Sequence, residues 1–193
     1  MKNLAWMLLL AVALPAAGAR VTIELKHGSE TERETKEQLE RLLAGYDLKQ
    51  YTFTHAVIIE DKVIPHSHPV LTLSTRYIGE DDRLLSVYVH EQLHWYLVEH
   101  HRQTEAAKAD LRRMYPKVPV GPPDGAMDEE STYLHLVDCY LEMQADRKLM
   151  GDKRAAAVME FLSGDHYRWV YATILRDEQA IGAVLAKHGL LLN

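Results

Sequence analysis

Residues 84–98 read Leu-Leu-Ser-Val-Tyr-Val-His-Glu-Gln-Leu-His-Trp-Tyr-Leu-Val, and the rest of the chain has to be fitted around them. Leu84, Leu85, Val87, Tyr88, Val89, Leu93, Trp95, Tyr96, Leu97 and Val98 would clothe a helix on nearly every side, and such a helix is buried. Asp81 or Asp82 can cap it, which predicts a helix from there through Leu84 to about His100. The same stretch carries His90, Glu91 and His94, and burying them is costly unless something pairs with them. His90 and His94 stand at i and i+4, one turn apart on one face, so both imidazoles can reach a single cation. Glu91, one step round, can take a proton from water beside that cation. Zinc suits this donor set, being tetrahedral, borderline-soft and able to lower the pKa of its water to about 7. The plainer reading is a pair of core histidines satisfied by hydrogen bonds.

Upstream, Val21–Leu25 alternates branched apolar and polar residues, and Tyr51–Glu60 is rich in Thr, Val, Ile and aromatics; both read as strands. Glu30–Leu43 reads as a charged surface helix ending near Gly45. Val63–Tyr77 continues in strand style but holds Pro65 and Pro69, which put it at an edge or break it. Downstream, helices are expected over Thr104–Tyr115, Glu129–Met150, Lys153–Leu162 and about Tyr167–His188, with Gly151 ending the second. Val118–Asp128 holds three prolines and two glycines and reads as a loop that could cover a cleft. The expected fold class is α+β: a small N-terminal mixed β-sheet with an edge strand, followed by a mainly helical core.

A buried H-E-x-x-H helix after a small sheet resembles the zincin metallopeptidases. The resemblance implies two histidine ligands, His90 and His94, Glu91 as general base, and a third ligand from later in the chain. Two candidates compete for that place. His100 has the outer spacing of the metzincin pattern, but Leu97 stands where that pattern has glycine. Leucine continues the helix, and His100 would then lie about 15 Å along the axis from His90. Glu142, in Tyr140-Leu141-Glu142-Met143-Gln144-Ala145-Asp146, resembles the gluzincin pattern of a glutamate ligand followed four residues on by an aspartate. That resemblance assigns Asp146 to the outer nitrogen of a zinc-bound histidine. His135 and Asp138 share a helix face with Glu142, and His135 is the alternative ligand. Glu142 is the preferred one. The resemblance also makes His68–Tyr77 an edge strand that pairs with extended substrate, with His66 and His68 as surface residues. Arg168 and Tyr171, one turn apart, have a spacing seen in some zincins that use these residue types on the developing oxyanion. Tyr171 is the candidate, with His166 or Tyr167 in reserve.

The chain has 193 residues, enough for one well-cored domain, and a formal charge of −6. With no basic tract it offers little to nucleic acid. Lys2, the apolar run Leu4–Leu14 and the ending Pro15-Ala16-Ala17-Gly18-Ala19 read as a signal peptide over residues 1–19. That predicts export to a periplasmic or secreted location, a single domain over 20–193, and no membrane span after signal removal. Cys139 is the one cysteine, so no internal disulfide can form, and its apolar helical setting makes it an inert thiol. The expected function is that of an exported zinc-dependent hydrolase, a metallopeptidase acting on peptide or protein. A zincin-like zinc-binding structural or interaction module is the alternative.

Overall fold

The computed structural model describes residues 20–192, so the leader read at residues 1–19 lies outside the described residues. The elements run β1 (Thr22–Leu25), α1 (Glu30–Gly45), β2 (Ala56–Glu60), β3 (Leu71–Ser74), α2 (Asp81–Glu99), α3 (His101–Met114), α4 (Glu129–Met150), α5 (Asp152–Asp165) and α6 (Arg168–Lys187). A small sheet followed by helices is the α+β order expected. Among the described residues no helix is long and apolar enough to cross a membrane.

The sheet has the order β1-β2-β3, and both neighbouring pairs are parallel, where a mixed sheet was expected. Parallel pairing follows from the returns: α1 carries the chain back between β1 and β2, and residues 61–70 carry it back between β2 and β3. Antiparallel pairing is confined to a bridge between His66 and Thr72. There the Thr72 amide donates to His66 O at 2.7 Å and the His66 amide to Thr72 O at 3.0 Å. These groups of Thr72 point away from β2, so the chain itself occupies that edge. Pro65 and Pro69 precede β3, and the strand shrinks to four buried residues.

Tyr51–His55 is not strand, and the cause lies on α2. The fully enclosed Gln92 side chain accepts from Phe53 N at 2.7 Å and Thr54 N at 2.8 Å. Its amide nitrogen donates to Thr54 O at 2.9 Å and to the Tyr88 hydroxyl at 3.0 Å. A side chain thus supplies what a neighbouring strand would, and the ladder starts only at Ala56. Gln92→Ala is expected to destabilise the fold by about 2–4 kcal/mol in chemical denaturation, because several polar groups lose their partners together. A change under about 0.5 kcal/mol, the size of a neutral surface substitution, would show that the 52–54 segment is held otherwise.

α1 begins at Ser29 with a reciprocal capping box to Glu32. Glu32 is fully buried and its carboxylate accepts from the backbone amides of His27 (2.9 Å), Gly28 (2.7 Å), Ser29 (3.3 Å) and Asp61 (3.2 Å). It thereby ties the ends of β1 and β2 to the start of α1. Burial pushes this carboxyl up, but the amides together outweigh it and hold it below its ordinary value. A depressed carboxyl contributes stability that is present above its unfolded pKa and is lost as pH falls through the folded one. Acid unfolding monitored by circular dichroism should therefore be shallower in Glu32→Gln than in the natural chain. Equal acid sensitivity would remove Glu32 from the account.

Eleven of the nineteen residues of α2 are buried, as its all-round apolar sequence requires. The helix runs through Leu97 without leaving its path and stops at Glu99. It packs on α4, which in turn packs on α5 and α6. Gly182 lets α6 approach α4, since a Cβ there would run into the Tyr140 hydroxyl. The 118–128 loop is fixed to the start of α6: the amides of Arg168 and Trp169 donate to Pro123 O at 3.0 Å and Asp124 O at 3.1 Å. Tyr167, just before that helix, takes the left-handed conformation at φ 49°.

Candidate metal centre

Two buried helices face each other with complementary polar stripes. α2 supplies His90, Glu91 and His94; α4 supplies His135, Asp138 and Glu142. The ring centroids of the three histidines form a triangle of sides 5.0, 5.2 and 5.6 Å. One ligand atom from each of His90, His94 and His135 lies within 4.8 Å of the others, and His90, Cys139 and Glu142 form a second such group. The buried set His90, His94, His135, Cys139 and Glu142 could hold a metal ion.

The first group is chemically the better one. Cys139 is enclosed, and burial pushes its thiol up to about 12, so it stays protonated and a poor ligand. Glu142 is already engaged by three donors: Ser86 Oγ at 2.7 Å, the Tyr171 hydroxyl at 2.9 Å and His90 Nδ1 at 3.1 Å. By contrast, burial lowers the pKa of His94 and drives that of His135 down to about 3, keeping both imidazoles neutral as metal ligands must be. His135 Nδ1 faces Ser131 O at 2.6 Å and His90 Nδ1 faces Glu142, which leaves Nε2 of each ring for a ligand.

Asp138 supplies a further test of fit. It is wholly enclosed and neither carboxylate oxygen makes a hydrogen bond. Oδ2 lies 2.8 Å from His90 Nδ1 in poor hydrogen-bonding alignment, and 3.9 Å from His94 Nε2. Burial raises the Asp138 carboxyl, and the neighbouring His90 and His94 outweigh it, so its pKa falls. Against the opposing effect of burial, Asp138 and Glu142 in turn push the His90 imidazole well above its ordinary value, so the enclosed anions favour a positive charge at the imidazole cluster, which a proton on His90 or a bound cation can supply. The residues present therefore fit a divalent cation.

Sequence reasoning joined Glu142 to His90 and His94. In the structure Glu142 reaches only His90, and His135 completes the group that contains both motif histidines. Asp146 is likewise not against a histidine; its Oδ2 lies 2.7 Å from Ser86 Oγ. His100 caps the end of α2, its Nδ1 2.9 Å from Tyr96 O, and belongs to neither group. Tyr171 is enclosed at 1% exposure with its hydroxyl committed to Glu142, so it stands behind the cluster. Tyr167, one turn earlier, lays its ring 4.2 Å from that of His135 and 6.5 Å from that of His90. Exposed His68 stacks on Trp95, the neighbour of His94, at 4.3 Å, and the Trp95 indole donates to Ser67 O at 2.9 Å. The left-handed backbone at Tyr167 left no signal in the sequence. His135 did leave one, as the histidine at the head of an acidic face.

Glu91 is 5% exposed, and burial raises its carboxyl to about 7, with the nearby anions adding to the shift and His90 opposing it. No family model matches this chain, and neither a curated protein nor a solved structure does so.

Proposed function

We propose that the protein is a zinc-dependent hydrolase of zincin-like character, a metallopeptidase, with His90, His94 and His135 as the residues that hold the ion. The observation carrying this reading is the convergence of those three imidazoles beside Glu91 on two buried helices. Three histidines suit zinc, binding of which would release the proton that Asp138 and Glu142 favour on His90, and a three-histidine set leaves a position for water. A zinc ion bound here would supply Lewis acidity, polarising a carbonyl and making a water easy to deprotonate.

The protein's own groups then have separable tasks. Glu91 takes the proton from water at its carboxylate and returns it to the leaving amine, for which a pKa near the working pH is the useful value. Glu142 and Ser131 O hold the rings of His90 and His135 by their outer nitrogens. Tyr167, whose ring packs on His135, takes the developing oxyanion, a task the sequence assigns to Tyr171. Export, as read from residues 1–19, belongs to the same proposal.

The orphaned Asp138 favours a second reading, in which its carboxylate closes the fourth metal position and zinc is a structural staple. Zinc analysis and peptide-library hydrolysis on one purified preparation separate the readings. One zinc per chain with chelator-sensitive cleavage supports the hydrolase. Bound zinc without cleavage, and a large loss of thermal stability on chelation, supports the staple; no zinc removes both.

A further inference from the structure

A tyrosine at φ 49° and ψ 37°, in the left-handed region, stays there only when its surroundings over-determine it. Tyr167 is gripped from both directions along the chain. On its C-terminal side the carbonyls of Pro123 and Asp124 accept from the amides of Arg168 and Trp169. On its N-terminal side the grip is a relay of side chains that starts beside the sheet. Arg76, in the single helical turn Thr75–Tyr77 that follows β3, places Nη1 2.9 Å from Asp165 Oδ2 and Nη2 2.6 Å from Asp165 Oδ1. Asp165 is the last residue of α5, and its Oδ2 also lies 2.8 Å from Nδ1 of His166. The His166 ring stands edge-on to that of Tyr167, with centroids 4.9 Å apart. The Tyr167 ring in turn lies 4.2 Å from that of His135.

We propose that Arg76 is a positioning residue for Tyr167: through Asp165 and His166 it sets where the tyrosine ring meets His135. Its two-point contact is what such a task needs. A planar guanidinium bound through both nitrogens fixes the direction of its partner, where a single contact lets it swing. Among the described residues no side chain of another element besides Arg76 bonds to Asp165. The Arg76 guanidinium, against burial and with help from His166, holds the Asp165 carboxyl at about 2, so the anion that receives the fork persists. As a staple the pair is weak, because the Arg76 side chain is 53% exposed and exposed ion pairs contribute little to stability. Its contribution is to geometry. The effect on rate rests on the functional reading above, in which Tyr167 takes the oxyanion, but the placement of the ring does not.

Arg76→Met keeps the reach of the side chain and removes the fork. With zinc-loaded protein and a cleaved peptide, kcat should fall by about 10–100-fold, the scale set by a slightly misplaced catalytic group. KM and zinc affinity should stay within about threefold, and the thermal midpoint within about 4 °C, as an exposed pair requires. Arg76→Lys should recover only part of the loss, since an ammonium cannot make both bonds. The deciding comparison uses Tyr167→Phe, which keeps the ring and drops the hydroxyl. Adding Arg76→Met to it should cost no further activity, because the relay then has no hydroxyl left to position. In the metal-free protein the Tyr167 ring should shift the His135 ring protons in NMR, and Arg76→Met should move those resonances toward their values in Tyr167→Leu. A natural kcat in Arg76→Met, an equal loss in the Tyr167→Phe background, or unmoved His135 resonances would each overturn the proposal. A midpoint lowered by more than about 10 °C would do the same, by making Arg76 a residue of the fold. A natural chain that cleaves no peptide fails the functional reading alone, because the His135 resonances still decide this one.

Discussion

Glu91→Gln is expected to lower kcat/KM for peptide hydrolysis by about 10²–10⁴-fold, the span attributed to a positioned general base. That corresponds to roughly 3–5 kcal/mol of transition-state stabilisation. Zinc content should stay at one per chain, because Glu91 belongs to neither group of candidate ligands. The fold should also survive: Glu91 makes no side-chain hydrogen bond whose loss would cost stability among the described residues, and glutamine has the same shape. A variant that hydrolyses normally would end the role of Glu91. One that loses zinc along with activity would move Glu91 into the metal's own coordination.

The second large effect is expected at His135. Replacing it by alanine should weaken zinc by more than about 100-fold, beyond the 10–100-fold typical of a group that only supports a ligand. Glu142→Gln should fall inside that range, and the contrast between the two variants discriminates the ligand sets. The measurement is chelator competition, with thermal unfolding of the metal-free variants to show that each is folded. His135 has a single side-chain hydrogen bond, to Ser131 O in its own helix, so truncation leaves the neighbouring elements joined. If Glu142 proves the costlier position and His135 is silent, the carboxylate ligand expected from sequence is the true one.

The local part of this site was legible. H-E-x-x-H places its groups by helix geometry alone, and the apolar residues around it force burial, so α2 and its chemistry could be read without a fold. The bounds of α4, Glu129–Met150, agree with the reading because an acid-rich start and Gly151 mark its ends. The stripe His135, Asp138, Glu142 and Asp146 was also visible as one face. Which turn of that face meets His94 depends on where α4 crosses α2, and no local pattern encodes a crossing point. Tyr167 owes its place to a left-handed residue and a loop docked on α6, both set by tertiary contacts. Gln92 is the hardest case. It occupies a variable position of the motif, yet it replaces a strand partner for Phe53 and Thr54, and a buried glutamine in a sequence gives no clue to what it will bind.

The bridge between His66 and Thr72 bears on how the proposed hydrolase would receive an extended substrate. A visiting polypeptide cannot lengthen the sheet at Thr72, for the hydrogen-bonding groups it would need there are spent on the host's own chain. To dock as an extra strand it must first peel residues 64–68 away, breaking the stack of His68 on Trp95 of α2. Selectivity at this rim then becomes a competition between guest and resident backbone, decided by how firmly that short flap holds on.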